Sequence, residues 1–207
     1  DIKAYSLGPM LAWYRKHYAP NNAMLLVVGD VQLNDVLPLA KKTYGGIAAQ
    51  AHVPPRVVAV EPARTEPLYV MKVDKDVQVP VFYEIYRSPS LFQGIAGVTP
   101  NMADVVALRV LAEILGGGDT GRLYQALVMN QQIADAASAE HDMIAAAETS
   151  LDVFVSPKPG VTLDKVAAAV EAEIAILQKT PVAEGELRRA KSSILADVVY
   201  AQDDDDT

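Results

Sequence analysis

Apolar and polar positions follow two rhythms along this chain. Near the start, Met10, Leu11, Tyr14 and Tyr18 recur three to four residues apart, which predicts an amphipathic helix. Ser6 and Pro9 mark its first turn and Pro20 stops it. Ala23 to Val28 is a continuous apolar run ended by Gly29-Asp30, the pattern of a strand buried on both faces. A second helix fits Asp35 to Tyr44, with Pro38 tolerated near its first turn and Gly45-Gly46 closing it. Pro54, Pro55 and Pro62 then interrupt the chain without any period, so residues 49–64 read as a linker.

Strand candidates follow at Leu68–Val73 and Val79–Tyr86, with Asp74-Lys75-Asp76 turning between them. Residues 87–100 lack periodicity and read as a loop. Asn101 caps a helix whose buried face is Ala107, Leu108, Leu111, Ile114 and Leu115. Gly116-Gly117-Gly118 ends it, and Asp119 or Thr120 caps another helix with Leu123, Tyr124, Leu127 and Val128 inward. Strands are expected within Asp135–Asp142 and Glu148–Ser156. Pro157-Lys158-Pro159-Gly160 turns the chain into a helix carrying Val166, Val170, Ile174 and Leu177 on one side. Pro181 breaks it, and a last helix has Glu184 and Glu186 in its first turn, where they suit the dipole. Leu187, Ala190, Ile194 and Val198 form its core face. This order predicts an α+β fold: a two-layer sandwich with a largely antiparallel sheet and helices on one face. The expected division is a helix-strand-helix segment over 1–48, the linker over 49–64, and an α+β half-domain over 65–207.

Charge and composition narrow the chemistry. The 207 residues carry 18 Lys+Arg against 26 Asp+Glu, a net charge of −8, which argues against nucleic acid as a partner. Without cysteine there is no disulfide, thiolate metal site or cysteine nucleophile, and the compartment stays open. No apolar run reaches the ~20 residues of a membrane span. The chain opens Asp1-Ile2-Lys3 and closes on four successive Asp before Thr207. The Asp run reads as a solvated tail, and both ends read as those of a piece cut from a longer protein.

No complete active site is visible. His17, His52 and His141 have no second His or Glu at helical zinc spacing, and each has a plain role: a helix end, a solvated linker and a surface strand position. No nucleophile elbow is present. Gly116 to Gly118, followed by Asp119-Thr120-Gly121-Arg122, could offer bare amides to an anion. It lacks the Lys-Ser/Thr pair of a P-loop, and Asp119 would repel phosphate. A helix–helix connector, or a loop touching an extended peptide, fits better. Glu186-Leu187-Arg188-Arg189-Ala190-Lys191 reads as a solvated helix face.

Three segments together carry a family resemblance. Tyr18-Ala19-Pro20-Asn21-Asn22-Ala23 with Leu25-Leu26-Val27-Val28-Gly29-Asp30-Val31 resembles a segment of the pitrilysin/insulinase/mitochondrial-processing-peptidase zinc proteases. Leu115-Gly116-Gly117-Gly118 with Gly121-Arg122-Leu123-Tyr124-Gln125-Ala126-Leu127 resembles that family's glycine-rich turn and following helix. Glu186-Leu187-Arg188-Arg189-Ala190-Lys191 resembles its late Glu-Leu-x-x-Ala-Lys helix. The matches occur in family order and cover essentially the whole chain.

The resemblance implies α+β half-domains paired into a clamshell. It also implies a zinc-binding H-x-x-E-H helix that is absent here, so no zinc ligand maps onto this sequence and zinc is expected only in the full-length parent. An Arg and a Tyr that contact substrate in the family's later half align with Val128 and Asp135, so that role does not transfer either. The glycine turn Gly116, Gly117 and Gly118 does transfer, as a candidate peptide-substrate site. The reading that results is the non-catalytic companion domain of a bacterial zinc metalloendopeptidase, inactive by itself, partnered by an upstream zinc-binding half-domain and a second clamshell half. The rival reading is a catalytically silent assembly subunit of the same fold; a nucleotide-binding module stands third. The resemblance favours a periplasmic over a cytoplasmic setting. The apolar run Leu25–Val28 would normally join the sheet of a preceding half-domain, and is expected here to add to another sheet edge or to drive self-association.

Overall fold

The computed structural model describes residues 5–54, 62, 65–92, 99–145 and 148–201. The Asp run at the C-terminus and most of the Pro-rich stretch between 55 and 64 lie outside them. The chain divides into two compact units, Asp1–Val57 and Val58–Thr207.

In the first unit, helices α1 (Leu7–His17) and α2 (Leu33–Tyr44) flank a short 3₁₀ turn, Pro20–Asn22. Ser6 stands at the N-cap of α1 without a side-chain cap bond, and Tyr18 donates its amide to the Tyr14 carbonyl at the far end. Asn22 Nδ2 donates to the His17 carbonyl at 2.7 Å, which satisfies one of the bare carbonyls at a helix end. Asn21 and Gln50 bond reciprocally: Asn21 Nδ2 donates to the Gln50 carbonyl at 3.0 Å and the Gln50 amide donates to Asn21 Oδ1 at 3.1 Å. Two expectations change. The run Ala23–Val28 forms no strand, and Met24, Leu26 and Val28 are almost fully exposed. An apolar run becomes a buried strand only when a neighbouring sheet supplies ladder partners, and the unit holds none among its described residues. Helix α2 begins at Leu33, so Pro38 lies inside it rather than near its first turn.

The second unit holds a three-stranded antiparallel sheet in the order β1-β3-β2, with β1 Phe82–Ser88, β2 Ala134–His141 and β3 Thr149–Pro157. Helices α3 (Met102–Gly116), α4 (Leu163–Lys179) and α5 (Glu184–Tyr200), a 3₁₀ turn at Gly118–Thr120 and a π-helix at Tyr124–Asn130 accompany it among the described residues. Leu151, Val153 and Val155 alternate along β3 and are buried. They join Leu115, Leu123, Leu127, Val166 and Val170 in one apolar core. Burying a side chain of this size is worth roughly 1.5–3 kcal/mol, so this cluster fixes the sheet against its helices. The result is the expected α+β two-layer arrangement. Asn101 Oδ1 accepts from the Ala103 amide at 3.1 Å and caps α3; Thr162 caps α4 through the Lys165 amide.

Here too the details differ from the pattern. Leu68–Val73 forms no strand and lies exposed, although the Asp74–Asp76 turn between it and the next segment is present, closed by the Val77 amide on the Asp74 carbonyl. Strand β1 runs from Phe82 to Ser88 rather than from Val79 to Tyr86, because its ladder with β3 extends to the Ser88–Thr149 pair. Asp119 and Thr120 cap nothing; they occupy a 3₁₀ turn, Gly118–Thr120. The segment beyond opens into wide turns, with the Gln131 amide bonded to the Ala126 carbonyl, and Gln132 ends it at φ 53°. Leu123 and Leu127 are still buried as expected. On α5, Ala190 is buried but Val198 is more than half exposed, so the core face covers only the first part of that helix.

Candidate functional site

A groove of about 530 Å³ opens beside the edge strand β2. Its walls come from three elements. Arg109, Glu113 and Gly116–Gly118 belong to α3 and its end, Ser138 to His141 with the adjoining Asp142 to β2, and Ser193 and Asp197 to α5. Strand β2 pairs only with β3 among the described residues, so it stands at the edge of the sheet there.

The glycine turn shapes this groove by close approach. A Cβ on Gly116 would overlap the Ala139 backbone nitrogen, so α3 lies against β2 at a distance only glycine allows. A Cβ on Gly121 would meet Gly116 backbone atoms at 2.9 Å. Gly118 adopts φ +60°, the left-handed region. The expectation of free amides changes at Gly117, whose amide already donates to the Glu113 carbonyl at 2.8 Å. The turn therefore contributes shape more than hydrogen-bond donors.

Two side-chain systems hold the walls. Arg109 lies between Glu113, at 3.2 Å, and Asp197, at 4.0 Å. Arg122 donates from Nε and Nη2 to the two carboxylate oxygens of Glu186, both at 2.7 Å. This two-pronged pair joins the segment after the glycine turn to the first turn of α5. The Arg122 hydrogen bond holds the Glu186 carboxyl below its ordinary value, against the opposing effect of burial. Glu186 is therefore not part of a freely solvated face.

The three histidines separate. His17 ends α1 and rests against the Trp13 ring, with centroids 4.9 Å apart, and His52 is exposed. His141 is no surface residue: it is only 5% exposed, and neither ring nitrogen makes a hydrogen bond of ordinary geometry among the described residues. It follows Ala137 and Ala139 along β2, directly across from Val155, Val153 and Leu151 in the ladder. Burial lowers its pKa below 6.5, outweighing the nearby Pro89 carbonyl and Asp142, which favour the charged ring; Arg109 adds to the lowering. The period-two series Ala137, Ala139, His141 was the signal that could have placed it inside. The groove as a whole was not legible, since its three walls lie far apart in sequence.

No group of three His, Cys, Asp or Glu side chains among the described residues is placed to hold a metal ion. Val128 is half-buried against the core. Asp135 is exposed where the β2 register shifts between Ala134 and Ala136. Neither lines the groove.

The fold and the sequence agree with known proteins. A zinc protease, PqqE of Helicobacter pylori, is 26% identical over 201 residues, covering 96% of this chain and 43% of that protein. The crystal structure of a protease from Helicobacter pylori superposes with a TM-score of 0.78 at 22% identity, covering 98% of this chain and 47% of the other. A peptidase M16 inactive domain from Pseudomonas fluorescens superposes with a TM-score of 0.67 at 16% identity, covering 97% of this chain and 46% of the other. The chain thus spans less than half the length of these relatives. The family described as the peptidase M16 inactive domain matches residues 6–194, and the chain belongs to that family.

Proposed function

We propose that this chain is the non-catalytic companion domain of a zinc-dependent metalloendopeptidase, one that walls the substrate chamber and holds peptide in extended form. The observation that carries the reading is the groove along β2, where Gly116–Gly118 lies beside an edge strand that has no ladder partner on its outer side among the described residues. An extended peptide gains main-chain hydrogen bonds by adding to such an edge, with groove side chains selecting among residues. The zinc and its water-activating Glu belong, on this reading, to an upstream half-domain of the parent protein, as the family resemblance implies.

Titrating the purified chain with fluorescent peptides tests this. An unmodified extended peptide binds, while the same peptide with alternate backbone nitrogens methylated loses most of its affinity, because methylation removes the donors of the ladder. Equal binding of both would exclude strand addition. The chain alone neither hydrolyses the peptide nor retains zinc stoichiometrically; turnover or a stoichiometric metal would overturn the non-catalytic role. The assembly-subunit reading gains ground if the parent gene encodes no H-x-x-E-H helix.

A further inference from the structure

His141 is the last residue of β2 and shares the inward face of that strand with Ala137 and Ala139. Leu151 of β3 stands directly across from it, and Tyr86 of β1 lies beyond Leu151 in the same row. The chain leaving β1 passes the start of β3 to reach this end of the sheet. There the Leu91 amide donates to the Met143 carbonyl at 2.9 Å, two residues past His141. Ser88 and Ser90 in the passing segment are buried. Ser88–Leu91 is therefore a strap fastened over the end of the β2–β3 pair, with the buried His141 enclosed beside it.

These surroundings suit an uncharged ring. Neither ring nitrogen makes a hydrogen bond of ordinary geometry among the described residues, and the acceptor beside the ring is the Pro89 carbonyl of the strap. A neutral imidazole has one N–H to offer that carbonyl and one bare nitrogen. A protonated ring has two N–H groups and a full charge, and burial penalises both. Two charged side chains act on it: Asp142, the next residue, favours the cation, and Arg109 of α3 opposes it. Arg109 is itself held by Glu113 at 3.2 Å and faces Asp197 of α5 at 4.0 Å. On β1, Tyr86 gives its hydroxyl to Glu84 at 2.5 Å, and Leu151 of β3 brings no charge. Burial is the largest influence on the ring, and the balance favours the neutral form.

We infer that His141 is an acid-sensitive latch: its uncharged ring lets the strap Ser88–Leu91 seat on the end of β2, and a proton on the ring unseats it. Unseating gives the second N–H to water and moves the new cation away from Arg109. His141 and Arg109 both line the groove, so the groove loosens at this end in mild acid. The inference concerns the chain's own closure and stands apart from peptide binding. Linkage sets its direction. The folded ring takes its proton less readily than a free ring of pKa 6.5, so closure is fully favoured above about pH 6.5 and weakens as pH falls toward the lower, folded value. Two carboxyls do not imitate it. Arg122 holds Glu186 below 4.5, and Glu84, raised chiefly by burial, favours the fold as pH falls, in the opposite sense.

Native-state hydrogen exchange on the full chain, read by NMR, is the test. Between about pH 7.5 and about pH 5.5 the protection of the Leu91 amide, corrected for its intrinsic exchange rate, falls severalfold, with one proton setting a ceiling of about tenfold. The amides of Val170 and Ile174 in α4 keep their protection over the same range. The His141 ring titrates with a midpoint below 6.5. His141→Phe keeps a ring in a site where the nitrogens make no ordinary hydrogen bond, and it removes the pH dependence at Leu91. His141→Gln, also uncharged at every pH, removes it too. Leu91 protection that is unchanged in acid overturns the latch, as does a ring midpoint at or above 6.5. An acid loss that survives in either variant assigns the effect to another group and overturns it. Equal loss at α4 overturns it as well, because acid then acts on the whole fold and not on the strap.

Discussion

Gly116 and Gly160 answer different physical demands, and substitution separates them. At Gly116 the obstacle is the backbone of Ser138 and Ala139, which cannot retreat without moving β2. At Gly160 nothing lies within 4 Å, and the demand is only the positive φ of +82°. Gly116→Ala is expected to cost about 3 kcal/mol, at the upper end of overpacking penalties, and to close the groove. Gly160→Ala is expected to cost about 1 kcal/mol, the strain of a left-handed alanine. Urea denaturation of the two variants measures both; equal costs would show that Gly116 is not the contact point between α3 and β2.

At the scale of elements, the Arg122–Glu186 pair joins two of the segments that carry the family resemblance. The Gly-Arg-Leu-Tyr-Gln segment and the Glu-Leu-x-x-Ala-Lys helix are distant in sequence, yet one guanidinium fork joins them. Because Arg122 depresses the Glu186 pKa below 4.5, the native state binds fewer protons there than the unfolded chain. That contribution is fully present above about pH 4.5 and is lost as pH falls through the lower, folded value. Glu186→Gln is therefore expected to destabilise the chain by about 1–3 kcal/mol at neutral pH, with the difference from the unaltered chain closing below pH 4.5. Denaturation curves across that range give the answer, and a gap independent of pH would mean that packing rather than charge joins the elements. In the same way Asn21 and Asn22 account for the Pro-Asn-Asn segment, one bonding Gln50 and the other the end of α1.

For the whole molecule, exposed apolar surface decides behaviour in solution. Met24, Leu26 and Val28 are exposed in the first unit, as are Leu68, Tyr69, Val70 and Met71 in the second. Exposed apolar segments of this kind pair readily with other chains. The chain is expected to self-associate at micromolar concentration, and Leu26→Lys/Val28→Lys to shift it toward monomer in sedimentation velocity. A monomeric unaltered chain would contradict this. Most helix positions, the α3 cap and much of the core were legible in the sequence because period and capping are local. Asn101, the pair Leu123 and Leu127, and the alternation Leu151, Val153, Val155 each declare themselves within a few residues. The groove was legible only at Gly116–Gly118. Arg109, His141 and Asp197 meet there because α3, β2 and α5 pack together, and no local pattern encodes that meeting. By itself the sequence determined the α+β plan, the family segments and the absence of cysteine chemistry. Tertiary structure alone decided that Ala23–Val28 and Leu68–Val73 form no strands and that His141 is buried, because ladder pairing and burial are properties of neighbours brought together by the fold.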